Sequence, residues 1–469
     1  MSARKRDFLT GSLIRQVVTM VATNSLSMLS FYLVDALAAL YLARTVDATS
    51  LAALGVAAAA QFLLISVSMG IHIGTSALVS RHIGAGHPEA ARDVAAAGLL
   101  LVAGSSVVCV VALLTSLARL LHGMGLHPDV ADQASSYLWY IAPAHVLGSL
   151  GLLFSSLLRA NAQPVLAMTA QLSGVVVAAL LDPVLIYWLG LGLPGAAVTF
   201  VLARLVTAIV AGTFLFSGDL LTPRSLWTAR PMEQIRPVLR MVIPLIVANL
   251  STPFAMLFAS AAFAVFGPAV MAGGTISDRI MQVAFSALFV APSAIGPVVG
   301  QNFGSGNRAR TARAILVGHA ALFAYAAVMA TAVAISGNAI ADLFHAEGET
   351  RAIVLLFCHV GVLGWMFAAP YYATVAALNP LGRARITMVL SWVRAVCAVV
   401  LPVQLAVDSA IARNLIVFQV AGSLAASLAA MVITAVLVVR LLAQDAPESE
   451  ITELRRRLLR LPGSPPASG

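Results

Sequence analysis

Charge is the scarcest property of this 469-residue chain: only 10% of its residues are charged, whereas 60% are hydrophobic. Soluble globular domains average about 25% charged and about 45–50% apolar residues, so the composition excludes an ordinary water-soluble fold. The mean hydropathy of +0.95 agrees. A membrane protein with many spans can hold so much apolar surface away from water, in the lipid bilayer.

Lysine and cysteine are nearly missing as well. Lys5 is the only lysine, so arginine carries almost all of the net charge of +9. The arginines lie between apolar runs without interleaved aromatic residues, which favours membrane-topology signals over a nucleic-acid partner. The three cysteines stand singly inside apolar runs with no metal-ligand spacing. We therefore expect neither a metal site nor a cofactor.

Apolar segments long enough to cross a membrane as helices, which takes about 20 residues, recur along the chain. The sequence therefore predicts an all-α polytopic membrane protein with twelve transmembrane helices. Prolines inside these segments are expected to kink the helices rather than end them. The predicted spans are 17–42, 51–77, 94–117, 134–158, 165–188, 195–216, 241–266, 271–299, 314–344, 353–378, 387–407 and 411–442.

The basic residues fall mainly on one side of these spans. Of the 28, twenty-one lie in the segments on the side of the N-terminus, three lie within spans, and four lie on the other side. This bias predicts a multi-pass protein of the inner (plasma) membrane with both termini in the cytoplasm. Residues 449–461 carry an apolar stripe at helical spacing, and a helix on the membrane surface and a solvated tail both remain open.

One polar, glycine-containing turn is written twice in the chain. It reads SALVSRHIGAGHPEAAR at 76–92 and AIGPVVGQNFGSGNRARTAR at 294–313. The shift that aligns Gly84 with Gly304, called the repeat shift below, also aligns Leu158 with Leu378. Because six spans are an even number, the two halves would insert the same way up. We expect two parallel six-helix repeats around a central cavity, divided as 1–219 (N-terminal lobe), 220–240 (cytoplasmic linker), 241–442 (C-terminal lobe) and 443–469 (cytoplasmic tail).

These turns resemble those that follow spans 2 and 8 in the multidrug and toxic compound extrusion (MATE) transporters. The stretch LDPVLIYWLGLGLPGAAV at 181–198 is similar to the family's span 5–6 region, and the resemblance extends along nearly the whole chain. It implies a secondary active antiporter that exports organic, usually cationic or amphipathic compounds in exchange for protons or sodium ions. A small organic substrate and membrane lipid are the partners implied, and we expect a monomer.

Two acids inside predicted spans are the candidates for ion coupling: Asp35 in span 1 and Asp182 in span 5, both toward the outer end. Desolvation disfavours the ionised form of a buried carboxylate, so such groups can gain and release protons during transport. A permanent ion pair with Arg204 is an open alternative for Asp182. For Asp35, the spacing leaves open whether it matches the family's span-1 aspartate. Predicted spans 7 and 10 contain no acid, which favours protons over sodium ions.

Other polar residues within the spans complete the candidate site. The charged ones are expected to be buried partners that tie helices together: Arg204, Asp278, Arg279 and Arg394. The uncharged ones are expected to line the cavity, where aromatic faces suit organic cations: Asn24, Tyr32, Gln61, Gln171, Thr199, Asn249, Gln282 and Tyr371.

Three other functions are alternatives to export. A flippase for lipid-linked compounds, of a related two-lobed fold, would need a more strongly cationic cavity than Arg204, Arg279 and Arg394 supply. An enzyme is not indicated, because the sequence has no nucleophile elbow, HExxH motif or paired-acid motif. An ion channel would need a filter-like repeat, which is also missing.

Overall fold

The computed structural model describes residues 8–45, 48–123, 127–222 and 229–443, and their side chains apart from 35–48, 51–52, 257 and 260–264. Across these ranges the regular secondary structure is helical, as the composition predicts. The amphipathic segment 449–461 lies outside the described residues. The helices are α1 Leu13–Thr45, α2 Ala48–Gly84, α3 Pro88–Gly123, α4 Pro128–Ile141, α5 Ala144–Ala160, α6 Pro164–Asp182, α7 Gly192–Phe216, α8 Pro231–Val265, α9 Pro268–Ala284, α10 Ser286–Phe289, α11 Ala291–Gly304, α12 Arg308–Ile335, α13 Gly337–Leu343, α14 Gly348–Leu356, α15 Val362–Leu378, α16 Ala384–Ala395, α17 Leu401–Ser409 and α18 Ala412–Ala443.

The described chain has ten helical stretches long and apolar enough to span a membrane, or eleven if the bent pair α4 and α5 counts as one. The pair bends by 49°, where Pro143 leaves its helical neighbours without a continuous hydrogen-bond ladder. The segment predicted as one span over 271–299 is three helices, α9, α10 and α11, with breaks at Phe285 and Val290.

Three π-helical segments interrupt the α-helices. They are Pro183–Trp188 (π1), Phe357–Gly361 (π2) and Val396–Val400 (π3). Such segments often mark functional sites, because the extra residue shifts the register of the side chains beyond it. Pro370, by contrast, lies inside the continuous helix α15. Neighbouring helices and local adjustments can satisfy the backbone that a proline frees within a membrane.

Helices α1–α7 and α8–α18 are called the N-terminal and C-terminal lobes below. They meet where α2 packs against α8 and α11, where α3 packs against α8, and where α1 packs against α11 and α12. Helix α8 begins at Pro231, so the connection between the lobes is shorter than the linker predicted over 220–240.

The two glycine turns pack against each other, and their contact is reciprocal. A side chain at Gly84 would collide with the backbone carbonyl of Gln301, and one at Gly304 would collide with the backbone carbonyl of Arg81. Arg81 stands in the same place before Gly84 as Gln301 does before Gly304, so the repeat shift carries one contact onto the other. Glycine is therefore needed at both positions, because only its missing Cβ allows the two backbones to approach this closely.

A second pair of turns repeats the same backbone pattern. The Gln163 amide donates to the Leu158 carbonyl at 2.9 Å, and at the positions related by the repeat shift the Arg383 amide donates to the Leu378 carbonyl at 3.0 Å. The shift found in the sequence thus recurs in the backbone structure at two separate points of the fold. We call the end of the bundle where Gly84 and Gly304 meet the glycine-turn end.

Candidate functional site

Asp182 is a buried acid at a discontinuity in its helix. It is the last residue of α6, its side chain is only 4% exposed, and Pro183 begins π1 directly after it. Helix α1 packs along α6 and onto π1, so the helix that carries Asp35 lies beside Asp182. The side chain of Asp35 itself lies outside the described residues. The structure thus places one of the two predicted coupling acids in a buried position.

Arg204, one of the predicted buried partners, lies in the N-terminal lobe against two aromatic rings. Its guanidinium carbon is 4.9 Å from the centre of the Phe200 ring and 5.5 Å from that of Phe31. The attraction between a guanidinium and the negative face of a ring stabilises such contacts. Arg204 on α7 therefore contacts a ring of α1.

Arg394 is surrounded by rings in the C-terminal lobe. Its guanidinium carbon lies 5.1 Å from the ring centres of Tyr371 and Tyr372 and 5.5 Å from that of Trp365. Tyr371 donates its hydroxyl hydrogen to Ser391 at 2.9 Å, which fixes the ring relative to α16. The aromatic faces that the sequence offers to an organic cation are therefore already occupied, in part, by the protein's own arginine.

Aromatic rings surround both arginines near the boundary between the lobes. Phe31, next to Arg204, meets Tyr32 edge to face with 5.7 Å between ring centres. Tyr372, next to Arg394, meets Phe289 edge to face with 5.8 Å between ring centres. Helix α1, which carries Phe31 and Tyr32, packs against α10, which ends at Phe289.

Asp278 and Arg279 lie on an accessible face of α9. Helix α9 buries a different face, which includes Gly273, Ser277 and Ile280 at helical spacing. Residues adjacent to this stripe in sequence point away from it, since successive side chains of a helix are about 100° apart. The role of Asp278 and Arg279 as ties between helices stays a prediction.

The uncharged candidates divide between buried and partly exposed positions. Asn24 and Asn249 donate to carbonyls of their own helices, and Gln171 of α6 donates to Ser155 of α5. The hydroxyl of Thr199 is buried, and within the described chain it has no hydrogen-bond partner. The buried candidates are Asn24, Thr199 and Tyr371, and the partly exposed ones are Tyr32, Gln61, Gln171, Asn249 and Gln282.

A buried polar seam between α2 and α5 was not predicted. Ser68 lies 3.1 Å from the His145 Nε2 atom and 2.9 Å from the Ser149 hydroxyl, and the latter two are 3.2 Å apart. Toward the end of α5, Arg159 donates to Ser156 at 3.0 Å. Four of these residues belong to α5 and recur along it at helical spacing: His145, Ser149, Ser156 and Arg159. This spacing is the sequence signal that could have predicted the seam.

The N-terminal segment is held between the lobes at the glycine-turn end. The Phe8 amide donates to Gln301 Oε1 at 2.9 Å, and Gln301 Nε2 donates to the Ala160 carbonyl at 2.7 Å. Asn302 and Arg310 donate to the Phe8 carbonyl at 3.1 and 3.3 Å. Gln301 therefore connects the C-terminal lobe both to the segment before α1 and to the end of α5.

Metal-ligating residues do not cluster among the described residues. In the ranges that the structure describes, no three His, Cys, Asp or Glu side chains come together as a metal site would require. Two shallow depressions lie on the C-terminal lobe, one near His359 and one beside Trp392, and neither includes Asp182, Arg204 or Arg394.

Several proteins are similar in sequence to the chain. It is 24% identical over 368 residues to the "FAD transporter" of Shewanella oneidensis, covering 74% of the chain and 78% of that protein. It is 23% identical to "Multidrug export protein MepA" of Staphylococcus haemolyticus, over 46% of the chain and 49% of that protein. An uncharacterised 21 kDa protein of Pseudomonas savastanoi is 35% identical over 127 residues, 27% of the chain and 42% of that protein.

The fold is that of solved MATE structures. A crystal structure of MATE in complex with MaL6 superposes with a TM-score of 0.88 at 21% sequence identity, covering 94% of this chain and 99% of the other. The family model MatE matches the chain twice, over residues 24–184 and 244–403, and the repeat shift also relates the starts of these two matches. The matches cover well over half of the sequence, and the chain therefore belongs to the MatE family of membrane transporters.

Proposed function

We propose that this transporter is a secondary active antiporter that exports amphipathic organic compounds in exchange for inward-moving protons. The observation that carries the proposal is Asp182, a carboxylate 4% exposed at the junction of α6 and π1. A carboxyl group in such a place is stable when it is protonated or paired with a positive charge. Leaving it ionised without a partner costs free energy. Its protonation state can therefore bias the arrangement of the helices around it.

The packing around Asp182 supports this role. Helix α1 contacts both α6 and π1, and α7 contacts both as well. A π-helical segment interrupts the regular hydrogen-bond pattern of an α-helix, so it is a natural point for a helix to change register. Proton binding at Asp182 would shift the equilibrium between two arrangements of α1, α6 and α7, with Asp35 on α1 as a second proton acceptor.

Movement of the two lobes would supply alternating access. The lobes touch at the glycine-turn end, where Gly84 and Gly304 pack on the opposite turn. Like-oriented halves can rock about such a contact and open the space between them to either side of the membrane in turn. In this orientation, set by the arginine bias, the glycine-turn end faces the cytoplasm of a monomer in the inner membrane.

An efflux assay in inverted membrane vesicles tests the proposal. Wild-type vesicles should accumulate a fluorescent amphipathic dye when a proton gradient is imposed, and a sodium gradient should not replace it. Asp182→Asn should lower the proton-driven rate at least about tenfold, since the amide cannot take up a proton. Asp35→Asn is measured in parallel.

The matched control is Asp408→Asn, the same chemical change at an exposed acid of α17. It should leave the rate unchanged. Full activity of Asp182→Asn, or uptake driven by sodium alone, would contradict proton coupling at Asp182.

A further inference from the structure

Arg394 carries a positive charge that has no hydrogen-bonded counterpart within the described chain. A guanidinium has five N–H donors in its plane. Among the described residues none of these donors meets an acceptor, and the Nε atom is buried without a partner. The rings of Trp365, Tyr371 and Tyr372 cover the group. Ring faces attract the charge but accept its N–H groups poorly, so the in-plane donors remain available.

The site lies where a substrate could reach it. Arg394, Trp365 and Tyr372 are all partly exposed, and Tyr372 contacts Phe289 of α10, the helix against which α1 of the N-terminal lobe packs. Both helices that build the site carry a π-helical segment near it. Arg394 stands two residues before π3, and Trp365 stands four residues after π2. Local irregularity at two neighbouring helices is typical of a functional site rather than of simple packing.

We propose that Arg394, walled by Trp365, Tyr371 and Tyr372, binds the anionic group of a planar aromatic substrate. The inference deepens the proposed function, on which it rests, by assigning a substrate class. An organic cation would have to sit beside an arginine whose charge no described acid neutralises, and this repulsion disfavours it. A small inorganic anion could meet the donors but would make no contact with the Trp365 and Tyr372 side chains, which are partly exposed beside them. An aromatic phosphate, sulfonate or carboxylate does both, because its anionic group meets the donors and its ring contacts the aromatic side chains.

The probes are riboflavin 5′-phosphate and riboflavin, which share one planar ring system and differ by the phosphate. Binding of each to the purified full chain in lipid nanodiscs is followed by quenching of flavin fluorescence. We expect the phosphate to bind about 10- to 100-fold more tightly, the range of a charge-assisted hydrogen bond. Arg394→Gln should remove this preference, so that the two flavins bind with equal affinity. Arg394→Lys should keep part of it, because the charge remains but the planar set of donors is lost.

Arg413→Gln is the matched control, since it makes the same change at an exposed arginine near the start of α18. Equal affinities of the wild type for the two flavins would overturn the inference without any variant. So would displacement of the flavin phosphate by millimolar inorganic phosphate, or equal behaviour of Arg394→Gln and Arg413→Gln.

The binding assay needs no ion gradient, so its result is separate from that of the transport assay. Proton-driven dye efflux with no flavin preference would refute the anion site alone. A clear flavin preference in a protein that moves no probe under a gradient would refute the proposed antiport instead.

Discussion

Gln301 is the residue whose loss should most directly loosen the contact between the lobes. Its side chain is fully buried, donates to the Ala160 carbonyl at 2.7 Å and accepts from the Phe8 amide at 2.9 Å. Gln301→Ala removes both bonds. It leaves one backbone donor and one backbone acceptor unpaired for as long as the lobes stay together at the glycine-turn end.

The size of the effect follows from those two groups. A buried polar group that loses its partner costs about 1–3 kcal/mol, so the closed arrangement is destabilised by about 2–6 kcal/mol. In the opened arrangement water can reach both groups and removes most of that penalty. Since about 1.4 kcal/mol is a factor of ten, we expect the ratio of opened to closed protein to rise at least about 25-fold.

Cysteine labelling at the glycine-turn end measures this ratio. Ser80 is fully buried, and its side chain faces Gly300 of the other lobe, so Ser80→Cys reports separation. A membrane-impermeant maleimide should label this cysteine much faster in Gln301→Ala. The exposed Gln404→Ala, which loses one contact within α17, should label at the wild-type rate. Equal rates for the two variants would refute the reasoning. The native cysteines are first replaced by alanine: Cys109, Cys358 and Cys397.

Two further predictions concern stability and assembly. Gly84→Ala and Gly304→Ala should both abolish transport and lower the yield of folded protein to a similar degree, because each new methyl group meets the backbone of the opposite turn. Gly104→Ala is the control and should be tolerated, because Gly104 lies in open space within α3. Unequal effects at the two turn glycines would count against their reciprocal contact. His145→Phe should lower the unfolding free energy by about 1–3 kcal/mol, because it leaves Ser68 and Ser149 without the imidazole. Thermal unfolding in detergent measures this, with the exposed His127→Phe as a control that should not shift the midpoint.

Hydropathy predicts the helical spans well, because a membrane admits only helices or closed barrels and leaves few other choices for long apolar runs. It predicts interruptions poorly. The run 271–299 is apolar throughout, yet it breaks at Phe285 and Val290. Composition cannot reveal such breaks, since they depend on how the pieces pack against α12 and α15. The repeat shift, in contrast, was readable from the sequence, since the turns that carry it are local structures with glycine at fixed positions.

The candidate site was predicted in part. Charge inside a span identifies Asp182, Arg204 and Arg394, because each must have a structural or functional reason to be there. Their partners could not be predicted, since partners come from distant parts of the chain. Arg394 meets rings of α15, and the seam joins Ser68 to a histidine 77 residues away. The direction in which a helix turns its charged residues also cannot be predicted from one charged pair, so the accessible position of Asp278 on α9 could not be predicted.

A proton at Asp182 and an aromatic anion at Arg394 would constrain the mechanism together. Neutralising a carboxylate makes the local potential more positive, which strengthens the binding of an anion instead of releasing it. Direct competition between proton and substrate, which would suit a cation, therefore cannot drive release here. Coupling would have to pass through helix movement, and α1 is placed for it, because it packs on π1 and on α10, whose Phe289 contacts Tyr372. One proton entering while a monoanion leaves moves two charges, each worth about 2.3 kcal/mol per 100 mV, so the membrane potential would drive export together with the proton gradient.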